Sequence, residues 1–195
     1  MPQPVLTIVL VAICIVIALG SNLGDNRAVI ENFLISKYLG QGVWFLPEVR
    51  NGEIWRLITP IFIHFGILHI VFNSLWLWEL GGAIERTSQA WKLGMLVFVI
   101  GLLSNLAQYI YAGPFFGGMS GVVYGLLGYV WAYGRFNPAA RLVLNQAVMA
   151  MMMIWFVLCW TGILGPIANM AHTAGLLLGV GWGWLEAVVV KGKRL

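Results

Sequence analysis

Six predominantly apolar stretches run through the chain, at residues 4–20, 65–84, 92–112, 118–134, 145–163 and 169–189. A membrane-spanning helix needs about 20 such residues, so the pattern predicts an all-α membrane protein with a six-transmembrane-helix bundle. The first stretch also has features of a signal peptide, since Ala18-Leu19-Gly20 resembles a small-residue cleavage site. Met1 to Pro4, however, contains no Lys or Arg, so the basic start of a secretory signal is missing. A retained helix is expected. Residues 21–64 break the pattern. They carry eight of the eighteen formal charges, four of each sign, interleaved with Trp44, Phe45, Leu46, Trp55 and Leu57. Such a segment is too charged to span and too apolar to float free. It is expected to fold as short amphipathic pieces in the membrane interface, and a structured loop of that length is usually functional. Neither an internal repeat nor an inverted pair of interrupted segments is evident, which weighs against a transporter.

Composition strengthens the membrane reading. Apolar residues make up 61% of the 195 positions and charged ones 9%, and a chain this short cannot hide that much apolar surface from water. The length suits one domain, residues 1–195. The net charge of +4 is no nucleic-acid signal, because the basic residues lie mostly at segment ends. With six spans, Arg86, Lys92, Arg135, Arg141, Lys191, Lys193 and Arg194 share one side with both termini, against four basic residues in the long loop. Seven against four places both termini in the cytoplasm. Cys14 and Cys159 sit within apolar runs and read as buried reduced thiols rather than metal ligands or a disulfide.

Polar chemistry gathers at one membrane depth. Under this topology His64 and His69 open the second helix, Ser120 the fourth and His172 the sixth, all at outward ends. Intramembrane polar residues are functional candidates. Ser120 follows Gly117-Gly118-Met119 at a helix N-terminus, where unpaired N–H groups favour a developing negative charge, as acyl transfer requires. Gly121, Gly125 and Gly128 follow Ser120, and Gly175, Gly179 and Gly183 follow His172 at similar spacing. Small residues on both helices permit close packing, which would bring hydroxyl and imidazole within reach. The carboxylate of the sixth helix, Glu186, lies 14 residues after His172, about 21 Å along a helix. It cannot orient the ring, so the arrangement reads as a Ser–His dyad. Tyr124 is either a ring face for His172 or ordinary packing. His69 and Asn73 share a helix face, and two readings stand: oxyanion donors beside the Ser120 N–H, or an interhelical clamp. The three histidines lack zinc-motif spacing and nearby acidic or Cys ligands, so no metal is expected. Glu79 and Glu85 are expected to pair or snorkel at the cytoplasmic end, near Arg86 and Lys92.

These residues resemble the rhomboid intramembrane serine proteases, of the bacterial GlpG type. The likeness runs from Trp55-Arg56 through His64-Phe65-Gly66-Ile67-Leu68-His69, Asn73 and Gly81-Gly82-Ala83-Ile84-Glu85 to Gly113-Pro114. It continues through Gly118-Met119-Ser120-Gly121-Val122-Val123-Tyr124 and Ala171-His172-Thr173-Ala174-Gly175. The resemblance implies Ser120 as nucleophile and His172 as base, with His69, Asn73 and the N–H groups of Met119 and Ser120 holding the oxyanion. It further implies that Gly118 shapes that turn, Tyr124 stacks on His172, Trp55 and Arg56 brace the outer loop, and Glu85 is structural. Substrates would be single-pass transmembrane proteins, cut near the outer face and admitted past the fifth helix and the loop after it. No cofactor is implied. Two departures stand out. The cytosolic domain often found before the first helix of such proteins is missing from this sequence, which touches regulation, and Ser88 stands where a glycine is common. The expected protein is therefore an endopeptidase of the bacterial inner membrane, with a polar cavity lined by His64, His69 and Asn73 open to the outer side. The competing reading is a catalytically inactive relative that binds membrane helices as a chaperone or escort.

Overall fold

The structure is a computed structural model that describes residues 3–37 and 45–192, apart from the side chains of Pro138, Lys191 and Gly192. Trp44, Lys193 and Arg194, used in the sequence reading, lie outside the described residues. Among those described, regular structure is helical throughout. The long helices are α1 (Val5–Gly20), α2 (Ile67–Ser88), α3 (Ala90–Ala112), α4 (Ser120–Phe136), α5 (Gln146–Trp160) and α6 (Asn169–Gly192). Their boundaries depart from the apolar pattern where the backbone dictates. Gly66 at φ +86° and Gly118 at φ +122° cannot be helical, so α2 and α4 each begin two residues later than hydropathy suggests. The α2 helix runs on past residue 84 to Ser88, through a π-helical turn at Leu77–Gly81.

By length and composition, Ile67–Ser88, Ala90–Ala112 and Asn169–Val190 can cross a membrane, while α1 and α5 are shorter apolar helices. The surface is that of a multi-pass membrane protein. Leu19, Leu68, Ile110 and Leu177 lie open on the outside, whereas Asn73, Ser104, Asn105, Gln108 and His172 are buried. At the centre stands α4, buried without a break from Gly121 to Val130.

Charged residues tie the bundle at specific backbone ends. Glu85 accepts hydrogen bonds from the N–H groups of Leu6 and Thr7 and from the Thr7 hydroxyl, each at 2.8 Å. It thereby caps the N-terminus of α1, where orphan donors and the helix dipole favour a carboxylate. This corrects the expected grouping of Glu85 with Lys92. Lys92 instead pairs with Glu186 at 2.5 Å, and the Tyr129 hydroxyl donates to the same carboxylate at 3.3 Å.

The segment before α2 contains short helical pieces at Arg27–Ile30, Pro47–Arg50, Ile54–Leu57 and Thr59–Phe62. Arg56, 1% exposed, organises them. Its guanidinium donates to the carbonyls of Glu31 and Leu34 at 2.7 and 2.8 Å and pairs with Glu53 at 2.7 Å. The Trp55 side chain, by contrast, is half exposed.

Candidate active site

The turn that delivers Ser120 is fixed before the helix begins. The Gly118 N–H donates to the Pro60 carbonyl at 3.0 Å, and a Cβ on Gly117 would fall 2.6 Å from that of Ile63. A side chain at Gly118 is excluded twice over. Its φ of +122° disfavours any L-residue, and a Cβ there would meet His69 Nε2 at 2.5 Å. The Ser120 hydroxyl then stands in the first turn of α4, half-buried, beside N–H groups that have no acceptor within the helix.

The other half of the site arrives on α6 through backbone packing. A Cβ on Gly175 would run into the Gly121 carbonyl oxygen, and one on Gly179 into that of Gly125. On the facing side, a Cβ on Gly128 would lie 2.6 Å from the Leu176 carbonyl oxygen. Only glycine permits this approach, and it brings His172 Nε2 to 2.7 Å from Ser120 Oγ. The His172 ring is buried and lies against Tyr124, with centroids 4.8 Å apart and planes tilted by 41°. The contact is oblique rather than a parallel stack, because the Tyr124 hydroxyl reaches away to donate to the Met152 carbonyl of α5 at 3.1 Å.

His69 faces the same turn. The Phe65 N–H donates to its Nδ1 at 3.2 Å, so Nδ1 is the acceptor and the ring proton sits on Nε2, the atom that abuts Gly118. One amide donor of Asn73 is directed to the His69 carbonyl at 2.9 Å, which secures the α2 backbone under the ring.

The family assignment follows from this arrangement together with comparison to known proteins. The rhomboid domain family model matches residues 51–188. The chain belongs to the rhomboid family. It is 37% identical over 186 residues, 95% of its length, to the rhomboid protease GlpG of Salmonella choleraesuis (strain SC-B67) and to that of Salmonella paratyphi A (strain ATCC 9150 / SARB42). The GlpG of Salmonella typhi is similar to the same extent. The chain spans 64% of the length of these relatives.

Within this rhomboid site some expected neighbours sit differently. His64 does not line a cavity: it is fully buried, its Nδ1 donates to the Phe62 carbonyl at 3.1 Å, and its ring meets that of His69 edge-on at 5.0 Å. Burial, reinforced by the neighbouring His69 and only partly offset by the Phe62 carbonyl, pushes its pKa below the ordinary histidine value. An open depression beside the site, about 470 Å³, is lined by Leu23, Asp25, Phe65, Leu68 and His69 among others. It is therefore mainly apolar. Among the described residues no cluster of potential metal ligands occurs.

One residue absent from the sequence reading is built into the site. Gln108, buried on α3, accepts from the N–H groups of Met170 and Ala171 at 3.0 and 3.1 Å. An amide near the end of an otherwise apolar helix was the available signal. Its target, the start of a helix more than sixty positions later, could not be read from the sequence.

Proposed function

We propose that the chain is an intramembrane serine endopeptidase that cleaves single-pass transmembrane proteins by a Ser120–His172 dyad. The observation that carries this reading is the 2.7 Å contact between Ser120 Oγ and His172 Nε2, made inside a bundle whose outer surface is apolar. Ser120 attacks the scissile carbonyl while His172 takes its proton. The oxyanion is met by the N–H groups of Met119 and Ser120 and by the Nε2–H of His69, with Asn73 adding a second amide donor to the same side. Gly118 shapes the approach, Tyr124 supports the imidazole, and His64 backs His69. His172 then protonates the leaving amine, and water hydrolyses the acyl-enzyme.

The proposed setting is the bacterial inner membrane, crossed by six helices as one domain, with both termini cytoplasmic. The N-terminal ends of α2, α4 and α6 share the outer side under that topology, so substrate and water reach Ser120 from there. Supporting this are the basic residues at the opposite end, Arg86, Lys92, Arg135 and Arg141 among them.

A serine-directed fluorophosphonate tests the reading. Wild type is expected to label and to cleave a transmembrane reporter in liposomes, and Ser120→Ala to do neither. Equal labelling of Ser120→Ala would remove the nucleophile assignment. A folded wild type that neither labels nor cleaves would favour the inactive helix-binding relative.

A further inference from the structure

We infer that Gln108 is the positioning residue for the imidazole of His172, acting through the backbone of α6; the inference rests on the dyad reading above. In a serine–histidine–carboxylate site the third residue orients the ring by accepting from Nδ1. Among the described residues no side chain does so here: His172 Nδ1 is buried with no hydrogen-bond partner, and Glu186 is committed to Lys92. Tyr124 offers the ring a face to lie against but no acceptor, so the aim of the ring depends on where its backbone is held.

Gln108 supplies that hold. The first N–H groups of a helix lack intrahelical acceptors, and the Gln108 Oε1 takes the two that immediately precede His172, those of Met170 and Ala171. The side chain comes from α3 and is itself 5% exposed. Nearby links complete the clamp without duplicating it. Asn169 Nδ2 donates to the Cys159 carbonyl of α5 at 2.9 Å, and Thr173 Oγ1 donates to the Asn169 carbonyl at 3.0 Å. Neither reaches the two N–H groups held by Gln108. The glycine contacts between α4 and α6 fix the distance between the helices, while Gln108 fixes the position and rotation of the first turn of α6, and with them the direction of Nε2 toward Ser120 Oγ.

Two variants of the full chain in liposomes test this, read by the rate of fluorophosphonate labelling and by kcat and KM on a transmembrane reporter. Gln108→Met keeps length and volume but removes the acceptor. It is expected to lower the labelling rate and kcat of the folded protein on the order of tenfold to a hundredfold, with KM little changed; the thermal midpoint falls too, because two N–H groups lose their acceptor. Gln108→Glu keeps a carboxyl oxygen at the same reach and is expected to restore most of the lost rate. Wild-type labelling by Gln108→Met would overturn the inference. So would equal losses in both variants, a rise in KM matching the loss, or a loss that disappears once rates are normalised to the folded fraction. If wild type itself fails to label, the dyad reading falls and this inference with it. If wild type labels and Gln108→Met is unaffected, only the role of Gln108 is lost.

Discussion

The seam between α4 and α6 and the loop before α2 are held together by opposite means. At the seam, backbone meets backbone: Gly121 lies against Gly175 and Gly125 against Gly179, while Gly128 and Gly183 meet the backbone of the opposite helix, and this close approach lets Ser120 reach His172. In the loop, polar side chains reach for carbonyls. Arg56 serves those of Glu31 and Leu34, Thr59 that of Phe33 at 2.9 Å, and Asn105 of α3 that of Leu57 at 3.0 Å. The reason is the state of the backbone. Helices satisfy their own N–H and C=O groups, so within lipid only packing is left to optimise. The irregular loop leaves carbonyls that must find donors elsewhere. The seam should therefore respond to volume and ignore charge, and the loop should do the reverse.

The largest effect is expected from Gly179→Val. Its Cβ would run into the Gly125 carbonyl oxygen, an atom of another helix that cannot step aside. Overpacking of this kind costs about 3 kcal/mol or more when backbone must move. Thermal unfolding in detergent should show that loss, and fluorophosphonate labelling should vanish as α6 is pushed off α4. A variant with wild-type midpoint and labelling would mean that the seam is softer than its geometry requires.

Next comes Arg56→Met, which keeps much of the volume and removes the donors. Two carbonyls and the Glu53 carboxylate lose their partner, and leaving buried acceptors unpaired costs about 2 kcal/mol. Here the midpoint should fall while labelling of the folded fraction persists, because Arg56 holds the Glu31 and Leu34 carbonyls, whereas the Ser120–His172 contact is set by the packing of α4 on α6. Labelling lost in proportion to that of Gly179→Val would erase the distinction between the two regions.

The sequence disclosed the seam better than the loop, for the same physical reason. Apolar runs and glycine spacing are local signals, and they located the six long helices and the stripes beside Ser120 and His172. Residues whose role depends on a distant backbone atom were read less well. Gln108 caps a helix more than sixty positions away, Glu85 caps α1 from α2, and His64 turns inward to the Phe62 carbonyl instead of lining a cavity. The π-helical turn of α2 was also unforeseen, since Leu77–Gly81 reads as an unbroken apolar helix. Arg56 and Trp55 are neighbours in sequence, yet only one is buried, and nothing in their order says which.

The smallest effect separates two pH windows within and beside the loop. Burial raises the Glu48 carboxyl, but the N–H groups of Lys37 and of Glu48 itself, the Ser36 hydroxyl and the charge of Arg56 outweigh it, leaving the pKa below the ordinary 4.5. A folded-state pKa that is lowered means that the unfolded chain binds the proton more readily. The stabilisation from Glu48 is thus complete above 4.5 and drains away as pH falls below it. His64 is lowered from 6.5, so its own loss begins higher, as the unfolded imidazole takes a proton that the buried ring refuses. Glu48→Gln should leave the stability slope between about 6.5 and 4.5 intact and flatten the part below 4.5. Unfolding midpoints measured from pH 7 downward in wild type and variant would show the two curves parallel at first and converging below 4.5. Curves that stay parallel below 4.5 as well would place the acid sensitivity of the loop in His64 rather than Glu48. Gly179→Val, with its damage confined to packing, should run parallel to wild type throughout.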